Sequence, residues 1–372
     1  MSTGPFSDLL VDHPALGQTL DRLPTPVALV DLDRLEANIS SMAEFFAPLP
    51  ANLRPHAKTH RAPAVARRQI EAGARGITCA KVGMAEAMAD GGIDDLYIAN
   101  QVVPREAIGR LVNLAQRATV TVAVDDAGNV ADLAAAATAA RVNLNVVIEI
   151  DGGMGCCGVQ PGAPAVALAE SIVRAPGLTF AGLHAYEGHM VDNPDRAVRV
   201  AGTEAMLALV FESKALIEHR GIEVSTVTCG GTGTYDISGV YPGVTEHQSG
   251  SYVYMDPGYS ALVPRFQTAL SVLTTVISRP APEKVITDAG VQTLANDYGD
   301  PAVHDHPELG LLYLSEEHGA WSAEASGLEP GDQLQVYPGH CCAAANLHDT
   351  VYAVRNGIVE EVWAVTARGR SQ

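Results

Sequence analysis

The sequence predicts an α/β fold: a (β/α)8 barrel of the TIM type, joined to a β-rich second domain made from the N- and C-terminal segments. Three observations predict it. From about Pro26, short apolar segments alternate with amphipathic helical ones, and after about Leu262 helical periodicity nearly vanishes. The chain has 372 residues, too many for one ordinary core. Strands that read as almost continuous apolar runs belong to a parallel sheet covered by helices. About eight such units over roughly 230 residues fit a closed barrel. The expected domains are a barrel over 25–262 and a β-rich domain over 1–24 and 263–372.

Taken in order, PVALVDL is expected as the first barrel strand, closing at Asp31. A helix should follow from about Asp33 to Phe46, with Leu35, Ile39, Met42 and Phe45 at helical spacing. Further strand candidates are NLRPHAKT, GITCAKV, DLYIANQVV, TVTVAVD, NLNVVIEID, TFAGLHAY, VSTVTCGGTG and GSYVYMD. Ala-rich amphipathic segments separate them, for example Pro164 to Arg174 and Arg196 to His219. Beyond Leu262, QTALSVLTTVISRP, KVITDAGV, LLYLSEEH, DQLQVYPGH and TVYAVRNGIVEEVWAV are strands joined by Pro/Gly turns. The lead-in before Thr25 is assigned to this second domain, because a first barrel strand has no partner for it.

Composition narrows the function. Hydrophobic residues at 47% and charged residues at 18% are the balance of an enzyme with a sizeable core. A formal charge of -19, with no Lys/Arg run, argues against nucleic acid and anionic membrane surfaces. One phosphate can still be held by backbone N–H groups at a helix start. The opening segment lacks the basic-then-apolar pattern of a secretory signal, and runs such as VNLNVVIEI are too short to span a bilayer. Six cysteines include the adjacent pairs Cys156-Cys157 and Cys341-Cys342, which do not form a secreted disulfide framework. The expected location is a reducing cytoplasm.

Barrel active sites sit at the C-terminal ends of the strands. There, His56-Ala57-Lys58-Thr59-His60 puts a lysine into an otherwise apolar strand. Such a lysine is costly unless paired, exposed or chemically used, and burial lowers its pKa toward that of a nucleophilic amine. A salt bridge at the barrel mouth is the plainer reading. Thr228-Cys229-Gly230-Gly231-Thr232-Gly233-Thr234 offers uncovered N–H groups and hydroxyls for a phosphate, with Gly250-Ser251-Tyr252 able to close the other side. A tight turn alone would look the same. In Pro338-Gly339-His340-Cys341-Cys342, an extended segment would turn His340 and Cys342 to one side, where they could share a metal ion. Two buried cysteines beside a solvent-facing histidine are the plainer reading. Ser315-Glu316-Glu317-His318-Gly319 and Tyr186-Glu187-Gly188-His189 each join an acid to a histidine, the materials of acid–base work or of a surface turn.

Together these pieces resemble the fold-type III enzymes of the D-threonine aldolase and D-serine dehydratase family. The resemblance rests on Thr25 to Asp33, Arg54-Pro-His-Ala-Lys58-Thr-His60, Cys79-Ala-Lys-Val-Gly83, the GGTGT loop, Gly250-Ser-Tyr252, Ser315 to Gly319, Pro338 to Cys342 and Arg368-Gly-Arg370. It runs in order over about 25–370. It implies pyridoxal 5'-phosphate on Lys58 as a Schiff base, with His56, Tyr186, Gly231, Thr232, Gly250 and Tyr252 around the cofactor. It also implies a divalent metal (Mn, Mg or Zn) on His340 and Cys342, a small D-3-hydroxy amino acid as substrate, and a homodimer. His189 matches a histidine that handles the substrate hydroxyl, although the family places that residue later in its loop.

Two further departures bear on the reaction. Cys156 stands where the family often has an arginine, and Cys342 is more typical of the dehydratases than of the aldolases. The implied activity is retro-aldol cleavage to glycine and an aldehyde. The alternative is a dehydratase giving a keto acid and ammonia. A non-catalytic pyridoxal-phosphate carrier and a metal-only TIM-barrel enzyme are the readings of other classes.

Overall fold

The computed structural model describes residues 9–324 and 326–372. The expected N-terminal lead-in falls partly outside them, over residues 1–8. The chain forms two compact units. One comprises Met42–Lys58, Ala66–Gly250 and Arg370–Gln372; the other comprises Thr59–Val65, Ser251–Gly369 and the described part of Met1–Ser41.

Among the described residues, the first strand is β1 (Val27–Asp31), followed at once by α1 (Leu32–Phe46). Eight parallel strands then follow: β2 (Asn52–Leu53), β3 (Ile77–Cys79), β4 (Asp95–Gln101), β5 (Thr119–Val124), β6 (Leu144–Glu149), β7 (Leu178–His184), β8 (Thr226–Cys229) and β9 (Glu246–His247). Their order is β2-β9-β8-β7-β6-β5-β4-β3. The two ends of that order meet: His56 bridges Thr78, Thr78 N–H donates to Pro55 O, and Ala57 N–H donates to Thr78 O. The sheet therefore closes on itself, as the barrel prediction requires.

Between the strands lie α2 (Pro63–Glu71), α3 (Val82–Asp90), α4 (Arg105–Leu114), α5 (Ala127–Ala140), α6 (Ala163–Arg174) and α7 (Arg196–His219), with the single turn α8 (Tyr235–Ser238) between β8 and β9. Aspartates set two of these helix starts. Asp126 accepts from Asn129 N–H and Asp195 from Ala197 and Val198 N–H, satisfying donors that a helix leaves open. Inside the barrel, Tyr97, Ala123 and Val147 pack together, and the Tyr97 hydroxyl lies 2.7 Å from His184 Nδ1. Arg54, 5% exposed, donates to Glu246 Oε2 and Asp95 Oδ1, each at 2.7 Å, tying three strands at one end.

The second sheet has nine strands, β13-β14-β11-β10-β1-β16-β17 with β15 and β12 branching from β10. Its further strands are β10 (Leu270–Ala281), β11 (Lys284–Thr287), β12 (Ala302–Val303), β13 (Leu311–Leu314), β14 (Gly319–Ser322), β15 (Gln333–Tyr337), β16 (Thr350–Arg355) and β17 (Ile358–Ala364). Strand alternation divides its core. Val272 and Val276 of β10 join Val285, Trp321 and Val336, while Leu273 points the other way, to Leu29, Tyr352 and Val362. The N-terminal segment adds to β17 through Val11 N–H to Val362 O and Gly17 N–H to Val359 O.

Two elements depart from expectation. The segment GSYVYMD, expected as a barrel strand, instead holds a short helical turn, Ser251–Val253, and the last barrel strand is β9 (Glu246–His247). β1 is not the first barrel strand; it pairs antiparallel with β10 and parallel with β16. Residues 28–30 are buried on both faces there, so the strand carries the same apolar run that a parallel barrel strand would.

Candidate active site

Lys58 sits on the turn that follows β2 and the His56 bridge, rather than inside a long strand. Its own N–H is directed to His56 Nδ1 at 3.3 Å, so His56 fixes the backbone from which the lysine projects. The side chain is half-buried, and Nζ lies 5.7 Å from the centre of the Tyr186 ring, within cation–π range. Tyr186 follows β7, so two strand ends deliver this pair.

The loop after β8 is built around three glycines. Gly230 has φ +96°, and a Cβ there would fall 1.9 Å from His247 Nε2. A Cβ on Gly233 would meet Val191 O at 1.7 Å, and one on Gly231 would press on Val191 and the Tyr186 ring. The backbone thus runs where no side chain fits, as a cradle for a ligand's phosphate demands. Gly231 N–H does not point outward. It donates to Thr234 Oγ1 at 3.3 Å, and that hydroxyl donates to Glu187 Oε1 at 2.8 Å. Of the predicted cup residues, Thr232 opens the short helical turn Thr232–Thr234, and Gly250 is buried at the end of the barrel segment.

The β6–α6 loop borders the same end of the barrel. Asp151 Oδ1 accepts from Gly153 and Gly155 N–H, both at 3.0 Å, and these bonds pull its carboxyl below the ordinary range. Gln101 Nε2 donates to Glu149 Oε2 at 2.6 Å. These two residues, Met154, Cys156, Cys157 and Tyr186 line a cavity of about 150 Å³. The Cys156 and Cys157 sulfurs are exposed and 3.9 Å apart. His189 is exposed on the turn after Tyr186, close to Gly153.

In the other unit, Tyr252 is fully buried, its ring 5.7 Å from that of Phe266. His340 and Cys342 do not lie on an extended run. His340 is the N-cap of a short helix, Cys341–Ala345, and Cys342 stands in its first turn. The two side chains nonetheless meet in a hydrogen bond. His340 Nδ1 is 2.8 Å from Asp297 Oδ2, and the Tyr298 ring packs edge-on against the imidazole at 4.7 Å. Burial alone would lower the His340 pKa; Cys342 and Asp297 outweigh it and raise it to about 9. Cys342 Sγ lies 3.2 Å from Thr59 Oγ1 and 3.6 Å from Ser251 Oγ. Among the described residues no group of three or more His, Cys, Asp or Glu is placed to hold a metal ion. A histidine nitrogen and a sulfur suit a borderline-soft ion such as zinc, with water or substrate completing the shell.

Ser315–Gly319 is a turn between β13 and β14, with Glu316, Glu317 and His318 exposed. Its Ser315 and Glu316 carbonyls accept from Val291 and Gln292 N–H, a structural role. Sequence reasoning did not single out Asp297 or the inward role of Glu187. Asp297 is distant in sequence from His340 and carries no motif, whereas Glu187 stands next to Tyr186 and alternation alone would have turned it inward.

The barrel and its strand-end lysine define an alanine-racemase-type protein. Residues 30–257 match the alanine racemase N-terminal domain family, and 269–354 match a putative serine dehydratase domain. The chain is 38% identical to a D-threonine aldolase of an Arthrobacter species, with 96% of each chain covered. It is 38% identical to a 3-hydroxy-D-aspartate aldolase of Paracoccus denitrificans over 96% of both. The crystal structure of D-threonine aldolase from Filomicrobium marinum superposes with a TM-score of 0.94 at 38% identity, covering 96% of this chain and 99% of that one. The chain belongs to the alanine racemase N-terminal domain family and, within it, to the group of these D-hydroxy-amino-acid aldolases. It is an enzyme, a lyase. Among the described residues no helix is long and apolar enough to cross a membrane.

Proposed function

We propose that this lyase cleaves the Cα–Cβ bond of a small D-3-hydroxy amino acid, in the manner of D-threonine aldolase, to glycine and an aldehyde. The observation that carries the reading is Lys58 at the barrel's strand ends, against the Tyr186 ring and in the same unit as the Gly230–Thr234 cradle. These residues fit pyridoxal 5'-phosphate, which when bound would supply an electron sink for the charge left at Cα. Lys58 would hold the cofactor and release it to the substrate amine. Tyr186 would support the ring, and the β8–α8 loop would take the phosphate together with Gly250 and Tyr252. A divalent ion would be held by His340 and Cys342, acidifying a coordinated hydroxyl. Asp297 fixes the imidazole through Nδ1, which leaves Nε2 as the ligating atom. His189 is the residue proposed to take the hydroxyl proton. A homodimer in the cytoplasm completes the proposal.

The second reading is a dehydratase, favoured by Cys342 and by the match of 269–354 to a putative serine dehydratase domain. There Lys58 would remove the Cα proton, and a keto acid and ammonia would leave.

One experiment separates them. Purified protein is given D-threonine with and without EDTA, and acetaldehyde and 2-oxobutyrate are followed separately. We expect acetaldehyde with equimolar glycine, lost in EDTA and in Lys58→Ala. Oxobutyrate as the main product would replace the aldolase reading with the dehydratase. A Lys58→Ala variant with full activity would remove the cofactor reading altogether.

A further inference from the structure

Glu187 has no exposed surface, yet it is an acid, and an acid is buried only where other groups hold it. Its backbone continues directly from Tyr186, at the end of β7. Its side chain turns into the base of the β8–α8 loop. There Oε1 accepts from the Thr234 hydroxyl at 2.8 Å. Thr234 in turn takes the Gly231 N–H at 3.3 Å. The start of the glycine loop is therefore drawn toward that side chain through one hydroxyl.

Further side-chain hydrogen bonds lie behind that side chain. Ser238 donates to Thr234 O at 3.1 Å and lies 3.0 Å from His247 Nε2, while His247 Nδ1 is 3.1 Å from Ser249 Oγ. Each of these side chains is buried. A loop whose glycines admit no Cβ and whose Gly231 N–H is turned inward is fixed in shape where it leaves the strand. Burial raises the Glu187 carboxyl above its ordinary range.

We propose that Glu187 is a positioning residue for the cofactor's phosphate: it sets the β8–α8 loop in the shape that grips the phosphate ester, and it ties that loop to the strand end that carries Tyr186. This rests on the reading of the loop as the phosphate site of pyridoxal 5'-phosphate. The role is specific to the phosphate, so it leaves the aldehyde end of the cofactor, at Lys58, untouched.

The test compares pyridoxal 5'-phosphate with pyridoxal, which lacks the phosphate. Full-length protein is freed of cofactor and titrated with each, following visible absorbance, for wild type, Glu187→Gln and Glu187→Ala. The amide keeps an acceptor for Thr234 and is expected to stay within about threefold of wild type for both ligands. Glu187→Ala is expected to bind the phosphorylated form about 10- to 100-fold more weakly and pyridoxal as before. Thr234→Val, which breaks the same relay with a smaller change, should show the same selective loss if Glu187→Ala folds poorly. An alanine variant that keeps the wild-type ratio between the two ligands, or loses both equally, overturns the proposal. Wild-type protein that binds neither ligand overturns instead the cofactor reading beneath it, and the two failures are distinct.

Discussion

At the scale of single residues, His247 sets the acid limit of the molecule. It has no exposed surface, and burial pushes its imidazole down to about 3. A group held neutral in this way takes up fewer protons folded than unfolded between that value and its ordinary one. Its contribution to stability is therefore complete above about pH 6.5 and is lost as the pH falls toward 3. We expect unfolding free energies from urea titrations to drop by about 1.4 kcal/mol per pH unit through this window on its account alone. His184, also buried and lowered, acts in the same direction. His247→Gln should flatten the slope; an unchanged slope would locate the acid sensitivity elsewhere. Lys58 stood out in the sequence as a lysine in an otherwise apolar strand, although a salt bridge at the barrel mouth was its plainer reading. Glu187 was noted only as the acid beside His189, and Asp297 not at all, because what marks their roles is a partner: Thr234 for one, His340 for the other. No spacing rule connects those positions.

Among elements, β7 shows how a glycine places a strand end. Gly182 has φ +150°, and a Cβ there would stand 1.9 Å from Thr226 O, in the backbone of β8. The register of β6 against β7 shifts at this point, between Val146 and Val147. The close approach lets β7 pair with β8 and carry Tyr186 and Glu187 beyond it. Gly182→Ala must push the two strands apart, and we expect a loss of about 2–4 kcal/mol, read as a lower Tm by calorimetry. An unaltered Tm would mean that the strands part without penalty. The barrel strands themselves were legible, because apolar runs alternating with amphipathic helices have one common solution. The assignment of β1 was not. A strand buried on both faces and followed at once by a helix reads the same whether it opens a barrel or lies between β10 and β16. The sequence reading put His340 and Cys342 on an extended backbone; the structure puts them at a helix start instead.

On the scale of the whole molecule, neither unit is one continuous stretch of chain. A fragment cut at the expected boundaries, 25–262, keeps β1 but removes the partners on both its sides, leaving an apolar strand with two open edges. We expect that fragment to be insoluble or to bind a hydrophobic dye strongly, as checked by ultracentrifugation and ANS fluorescence. A monomeric, dye-silent fragment would show that β1 finds other cover. The two-domain plan was legible because periodicity changes near Leu262. The interleaving of the units was not, because long-range pairing leaves no local mark on composition.

The placement of β1 also has a history during translation. Val27 pairs with Leu273, and Ala28 with Val351, so a strand made near the outset has no lawful neighbour until most of the chain exists. At roughly 5–20 residues per second, a ribosome needs about 12–50 s to reach β10 and longer to reach β16. Throughout that interval the nascent protein holds out a short, sticky, apolar segment, a natural hold for a chaperone that binds newborn chains.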